Sequence, residues 1–502
     1  MKLTMSSATQ RIDVLRREAT EQLDPVRRVA MGQFMTPSPI ADFMASLFRK
    51  WPAEARLLDA GAGIGSLTRA FVQRFSSAGQ RGSRLSIAAY EIEPVLLPYL
   101  RDQLAELQGP SVTASVVERD FLREAAFALS FGDTQFTHVI LNPPYKKIGA
   151  TSDYRLLLRQ AGIEAVNLYV AFLGLAVALT RPGGEIVAII PRSFCNGTYF
   201  RPFRRWLLKE AAITHIHVFD SRKKAFHDDD VLQENVIIRL ERKAHQGEVV
   251  ISTSHGPTFS DYAERSIPFS DVVKPGDEQC YIHIPTFTLA DAGHLFVRSL
   301  SDLGLGVATG PVVDFRLREY WRAQATESEV PLLYSHHFKG GKLTWPREHK
   351  KPNALKVSHA TQKWLMPAGW YAVTKRFSSK EERRRLVAFV VDPGLLPFPF
   401  FGFENHLNVI HSEKRGVDPI LAHGIALFLN ATITDQYFRN FSGHTQVNAT
   451  DLRTMLYPER QTLLEYGKWA VTHGEATQDQ VDAVVEGTDV KVERSVGNSD
   501  RS

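Results

Sequence analysis

At 502 residues, with 44% hydrophobic and 23% charged residues, the chain has ordinary globular composition and room for about two or three domains, which excludes a disordered, collagen-like or wholly membrane-embedded protein. Its 60 lysines and arginines exceed its 55 acidic residues by only five charges, so global charge names no polyanionic partner. Two cysteines, Cys195 and Cys280, build neither a disulfide framework nor a cysteine zinc site, which suits a reducing compartment.

Met1 to Asp24 alternates charge without an apolar core, so no secretory signal is expected, and 1–24 reads as a helical extension. Arg56 to Asp59 ends a strand, Ser66 to Phe75 is a helix, Leu85 to Glu91 a strand, Pro94 to Leu107 a helix, and Val112 to Arg119 and His138 to Leu141 are strands. Leu168 to Leu179 is the longest strongly apolar run; it is short of the roughly 20 residues that span a bilayer and reads as a buried helix. The turn Arg181-Pro182-Gly183-Gly184 closes it, and Glu185 to Ile190 is a strand ending at Pro191. A helix over Arg201 to Glu210 and strands around Ile213 to Phe219 and Asn235 to Leu240 complete an α/β domain over 25–245. Its alternation predicts a mostly parallel sheet with helices on both faces. Residues 246–289, rich in Ser, Gly, Pro and charge, read as a connecting segment, 290–465 as a second, mixed α/β domain rich in aromatics, and 466–502 as a polar flexible tail.

Chemistry concentrates at the strand ends of the first domain. Asp59-Ala60-Gly61-Ala62-Gly63-Ile64-Gly65 is a glycine-rich strand-to-helix turn, whose glycines let the backbone approach a ligand closely. Glu91, ending the next strand, places an acid where it can accept both hydroxyls of a ribose, and Asp120-Phe121 offers an acceptor for an exocyclic amine beside an aromatic face. Ligands of open α/β sheets bind at such strand ends. The fourth strand ends in Asn142-Pro143-Pro144-Tyr145, the most specific feature of the chain. Two prolines stiffen the backbone, so the Asn142 side-chain oxygen and the Pro143 carbonyl become fixed acceptors for the two hydrogens of an exocyclic NH2. Accepting both supports the positive charge that develops on that nitrogen during attack, without a strong base. Tyr145 is expected to supply a stacking face worth roughly 1–3 kcal/mol to a base.

These motifs resemble those of S-adenosylmethionine-dependent DNA methyltransferases acting on adenine N6, of the TaqI-like, gamma-ordered type. Gly32-Gln33-Phe34-Met35-Thr36-Pro37 looks like that family's N-terminal element, which implies that Thr36 contacts the cofactor carboxylate. The resemblance likewise implies Asp59, Ala60, Gly61, Gly63 and Gly65 as the cofactor loop, Glu91 as the ribose acid, Asp120 and Phe121 as adenine contacts, and Asn142, Pro143, Pro144 and Tyr145 as the catalytic motif. The phrases Gln33 to Ile40 and Gln233-Glu234-Asn235-Val236-Ile237 point to type II modification methylases of the PstI/XhoI kind. A Rossmann-like cofactor domain, a C-terminal target-recognition domain, double-stranded DNA as substrate, a flipped adenine in a six-base-pair palindrome and a cognate restriction endonuclease on a separate chain are then implied. A prokaryotic cytoplasmic location is implied as well; the apolar runs predict no membrane association, the histidine spacing no metal, and a monomer is the default expectation. Glu91 departs from the pattern, standing 30 positions after Gly61 because Ser76 to Arg84 lengthens the connection.

Charge distribution supports a nucleic-acid surface in the second domain. Pro331 to Val390 holds 13 Lys/Arg against 3 Asp/Glu, interleaved with Tyr334, Trp345, Trp364, Trp370 and Tyr371. Lys339, Lys342, Arg347, Lys350, Lys375 and Arg376 are candidate DNA contacts, with His444, Thr445 and Gln446 from the loop Phe441 to Asn448. Leu303 to Gly310 looks like the opening of the recognition region, followed by Pro311-Val312-Val313-Asp314 where the family often has an asparagine. The 17 histidines include no metal-binding spacing, and His227-Asp228-Asp229-Asp230 reads as an acidic surface loop. Two other functions use the same motifs: a methyltransferase acting on RNA or a protein glutamine, and a DNA-binding scaffold that only senses the cofactor.

Overall fold

The computed structural model describes residues 7–25, 28, 34–79, 81–132, 135–219, 234–285, 295–326, 328–339, 342–378, 384–442 and 446–487. It divides into two units, Met1–Thr286 and Phe287–Ser502.

In the first unit, α1 (Ser7–Gln22) and α2 (Ser38–Ser46) lead into β1 (Glu54–Ala60), α3 (Ser66–Ala78), β2 (Arg84–Tyr90), α4 (Leu97–Leu107), β3 (Val112–Val117), α5 (Phe121–Ser130) and β4 (Phe136–Leu141). They are followed by α6 (Asp153–Gln160), α7 (Leu168–Leu179), β5 (Thr180–Pro191), α8 (Arg201–Glu210), β6 (Ala211–Phe219), β7 (Asn235–Arg242), β8 (Val249–Ser254) and β9 (Ala263–Ile267). The strands form one sheet in the order β3-β2-β1-β4-β5-β7-β6-β8-β9. The first five are parallel, β7 runs antiparallel between β5 and β6, β8 is parallel to β6 and β9 antiparallel to β8. Every residue of β4 is buried, as expected for a parallel strand covered on both faces. One face packs Leu122 of α5 and Val170, Leu173 and Val177 of α7; the other packs Ile40, Met44, Leu67 and Phe71 of α2 and α3. Strand order reverses between β1 and β4, which marks their carboxyl ends as the ligand crevice.

Three expectations are corrected, and a fourth is extended. The described part of the expected connection, residues 246–285, is no linker: β8 and β9 extend the sheet, with Val249 and Ile251 buried in it. The expected turn 181–184 lies inside β5 as an irregularity, where pairing with β4 steps from Phe136↔Thr180 to His138↔Glu185. The helical extension is part of the first unit, because Ile12, Ala19 and Leu23 pack on Ile64 and Leu96. Residues 466–487 of the expected tail include helical segments packed on the second unit, as described next.

In the second unit, β10 (Gly306–Thr309), β20 (Leu407–His411), β17 (Tyr371–Lys375) and β18 (Ala388–Val391) form an antiparallel sheet. A second sheet joins β11 (Trp321–Arg322), β15 (Ala354–Lys356), β12 (Glu329–Leu333), β19 (Phe400–Phe403) and β16 (Leu365–Pro367), and β13 (Phe338–Lys339) pairs with β14 (Lys342–Leu343). The helices α9 (Pro419–Leu429), α10 (Thr432–Phe441), α11 (Ala449–Thr454), α12 (Arg460–His473) and α13 (Gln478–Glu486) follow. α9 and α12 cross where two glycines meet: a Cβ on Gly424 would sit 1.8 Å from the Leu463 carbonyl oxygen, and one on Gly467 1.8 Å from that of Ile420. α13 is held by the Tyr466 hydroxyl donating to the Val485 carbonyl at 3.0 Å and by a Thr477–Gln480 capping box.

Candidate active site

A cavity of about 430 Å3 opens at the carboxyl ends of β1 to β4, within the 300–1,000 Å3 usual for ligand sites. Its floor is the turn after β1, where Gly61, Gly63 and Gly65 take φ of +81°, +59° and +88°, a region that side-chain-bearing residues rarely enter. The Gly61 and Ala62 amides donate to the Tyr90 carbonyl at 3.0 and 2.8 Å, tying the turn to the end of β2. Glu91 completes the tie: its Oε2 accepts from Gly63 N at 2.9 Å and its Oε1 from Ile92 N and Glu93 N, both at 2.8 Å. A carboxylate has about four acceptor positions; three are filled, and one on Oε2 remains for a ligand hydroxyl. Burial raises the Glu91 carboxyl above its ordinary range.

One wall is aromatic. The rings of Tyr90 and Phe121 lie 5.2 Å apart and those of Phe121 and Phe172 5.1 Å apart, which suits a planar heterocycle. Asp120 borders it as the N-cap of α5, with Oδ1 accepting from Leu122 N and Arg123 N and Oδ2 from the Tyr154 hydroxyl. Three of its four acceptor positions are therefore engaged, and one on Oδ2 remains for the expected amine.

On the opposite wall the Asn142 amide is fixed in orientation. Its Nδ2 donates to the Phe34 carbonyl at 2.7 Å and to Thr36 Oγ1 at 3.0 Å. A carbonyl can only accept, so the nitrogen must face Phe34 and the oxygen must point the other way. Oδ1 takes one bond, from the Tyr145 hydroxyl at 3.0 Å, and keeps a second lone pair. Tyr145 offers no open stacking face in this structure. It is 5% exposed, with its ring 6.0 Å from that of Phe34 and 6.1 Å from that of Tyr169, because its hydroxyl turns inward to reach Asn142.

Of the residues expected from sequence, Thr36, Gly61, Gly63, Glu91, Asp120, Phe121, Asn142 and Pro144 line the cavity. Ala60 and Pro143 are buried and are not among the lining residues, Gly65 caps α3, and Asp59 lies beneath the turn. Asp59 is fully buried, accepts from the Thr68 hydroxyl at 2.6 Å through Oδ2, and leaves Oδ1 without a partner. Burial lifts its pKa to about 7. Tyr154, Phe172, Lys146 and Lys147 also line the cavity and were not anticipated. Tyr154 sits in no motif, and Phe172 was hidden in a helix read as pure core, although it is an aromatic among small and aliphatic residues.

The second-unit candidates scatter. Lys342 pairs with Glu475 at 2.7 Å. Arg376 donates to the Asn405 carbonyl at 3.1 Å and to Gln446 Oε1 at 3.2 Å, and Lys375 Nζ lies 5.8 Å from the centre of the Phe389 ring. Lys339 pairs in β13, and Arg347 and Lys350 share a separate recess. His444 and Thr445 lie outside the described residues, as do Gly32, Gln33, Gln233 and His227 to Asp230. Among the described residues no helix is long and apolar enough to cross a membrane.

The fold and the cavity define a Rossmann-like methyltransferase domain joined to a second unit. Residues 93–226, which include Asp120 and Asn142 to Tyr145, match the family model described as the Eco57I restriction-modification methylase. The chain is 48% identical over 469 residues to the type II methyltransferase M.BsuBI of Bacillus subtilis, spanning 91% of this chain and 93% of that protein. It is 40% identical over 490 residues to the type II methyltransferase M.PstI of Providencia stuartii, spanning 94% and 96%. The chain belongs to the type II methyltransferases of restriction-modification systems.

Proposed function

We propose that this chain methylates N6 of one adenine within a short DNA sequence, using S-adenosylmethionine. The observation that carries the reading is the Asn142 amide, an acceptor locked in orientation on the wall of a glycine-floored, aromatic-walled cavity. S-Adenosylmethionine, when bound, supplies an electrophilic methyl group on a sulfonium. The residues fit it: the positive-φ turn brings backbone to the ligand, Glu91 Oε2 keeps an acceptor for a ribose hydroxyl, and Tyr90, Phe121 and Phe172 present ring faces to its adenine. The hydroxyl proton of Thr36 is left to donate to its carboxylate.

A duplex hides the target amine in the base stack, so the base must leave it at a cost of a few kcal/mol. Asn142 Oδ1 and the Pro143 carbonyl accept the two amine hydrogens, which orients the nitrogen lone pair and supports its developing charge. Pro144 stiffens the motif, and Tyr145 steers Asn142 through its hydroxyl. The order of motifs, with the Thr36 element and the glycine turn preceding Asn142 and a large unit following, supports the gamma type. In this reading residues 290–465 recognise a six-base-pair palindrome, a monomer modifies each strand in turn in the cytoplasm, and a cognate endonuclease resides on another chain. Asn142→Ala is expected to abolish transfer while cofactor binding, followed by calorimetry, survives. Single-molecule sequencing of DNA from expressing cells should reveal one fully modified adenine motif. Full activity of the variant, or DNA without modified adenine from cells making soluble chain, refutes the assignment.

A further inference from the structure

The second unit holds a recess of about 570 Å3 that gathers cations from two separate segments. Arg322 comes from β11, and Arg347, His349, Lys350 and Lys351 from the loop between β14 and β15. Four Lys/Arg line it against one carboxylate, Glu348. The loop is latched rather than loose. Asn353 Oδ1 accepts from Arg347 N at 3.0 Å, its Nδ2 donates back to the Arg347 carbonyl at 3.0 Å, and Trp345 Nε1 donates to the Asn353 carbonyl at 2.8 Å.

Three of the four cations are held in place, Arg322 by donating to the Glu319 and Trp321 carbonyls at 3.1 and 2.7 Å, and one is uncommitted. Arg347 donates to the His336 carbonyl at 2.5 Å, and Lys351 pairs with the buried Asp314 at 2.5 Å. Lys350 is exposed and makes no hydrogen bond or ion pair among the described residues. His336 is stacked on His349 beside the recess, with ring centres 3.9 Å apart, and burial lowers its pKa to about 4. Of the sequence candidates, Lys342 and Arg376 have partners elsewhere, whereas Lys350 in this recess has none among the described residues.

We propose that the recess bounded by Arg322 and the 346–353 loop is a docking site for the phosphodiester backbone of duplex DNA, with Lys350 and Arg347 reaching phosphate oxygens. Cations held on a latched loop lose little freedom on binding, and a guanidinium matches two phosphate oxygens at once. The inference rests on the proposed action on DNA and adds where the backbone is held. Phosphate contacts carry register and salt dependence rather than sequence.

The test is equilibrium binding of the full chain to a fluorescent 30-base-pair duplex over a salt series. Each lost phosphate contact reduces the slope of log K against log salt by about 0.9, so raising salt from 50 to 200 mM should weaken Lys350→Gln about 3.5-fold less than the parent. The double variant Lys350→Gln/Arg347→Gln should lose about 1.8 from the slope. Lys350→Arg should keep the parent slope, Lys342→Gln should leave it unchanged, and Glu348→Gln should tighten binding. Melting temperatures confirm that each variant is folded; Lys350 is exposed, so its substitution leaves the core intact. A parent that binds duplex with a slope unmoved by Lys350→Gln, or moved only by Lys342→Gln, overturns the docking site and leaves the proposed function standing. A parent that binds no duplex, or that binds an acidic polypeptide through Lys350 instead, overturns both.

Discussion

Replacing Thr36 by valine isolates the device that orients the catalytic amide. The residue is 4% exposed, and valine matches its shape while removing Oγ1. Asn142 Nδ2 then keeps only the Phe34 carbonyl at 2.7 Å and loses its acceptor at 3.0 Å. A neutral hydrogen bond contributes a net of about 1–1.5 kcal/mol, and one of the three bonds that set the amide's orientation is gone. If that loss falls on the reacting geometry, single-turnover methyl transfer at saturating cofactor and duplex slows roughly 5- to 12-fold. Cofactor affinity, measured separately by calorimetry, reports the other role proposed for the hydroxyl. Thr36→Ser keeps Oγ1 and should retain most of the rate. A Thr36→Val enzyme whose single-turnover rate stays within about twofold of the parent, with only cofactor affinity reduced, would show that Phe34 and Tyr145 suffice and that Thr36 does not position Asn142.

Two further substitutions probe stability. Asp59 has a folded pKa raised from 3.8 to about 7 by burial, so between those values the folded chain holds a proton that the unfolded chain releases, and stability falls as pH rises through that window. Asp59→Asn should remove a penalty on the order of 4 kcal/mol that is fully present above pH 7 and absent below 3.8. Thermal melts at pH 5 and pH 8 should therefore show the variant gaining more at pH 8, and an equal difference at both refutes the assignment of the burden to Asp59. Gly424→Ala drives a methyl to 1.8 Å from the Leu463 carbonyl oxygen and should cost the second unit about 3 kcal/mol or more. The exposed Gly247, with no atom within 4 Å of an added Cβ, should accept alanine without a change in melting; equal behaviour of the two variants refutes the close helix crossing.

Much of the first unit was legible because its information is local. Buried parallel strands read as apolar runs, and the turns that follow them carry glycine, acid or Asn-Pro-Pro-Tyr within a few residues of each strand end. Placing Gly61, Glu91, Asp120 and Asn142 on one rim follows from strand order alone, since successive parallel strands end on the same edge of a sheet. What pairing over long separations decides was not legible. Residues 246–289 look like a linker because two short strands at a sheet edge need few apolar side chains, yet β8 pairs onto β6 and β9 onto β8, and both become part of the sheet.

The same division runs through the site. The sequence establishes that Asn142 can accept an amine hydrogen. That its oxygen is left as the acceptor depends on Phe34 and Thr36, more than a hundred residues away, whose acceptors hold the nitrogen. Tyr145 reads as a free ring in its tetrapeptide, but packing between Phe34 and Tyr169 turns it into a hydrogen-bond donor. Tyr154 and Phe172 enter the site only through the way α6 and α7 fold over the rim. In the second unit a count of basic residues marked a region, whereas only side-chain pairing separated Lys350 from Lys342. Residue chemistry is local and survives in the sequence; the direction in which a group points, and whether another group has already claimed it, are properties of neighbours that only the folded chain brings together.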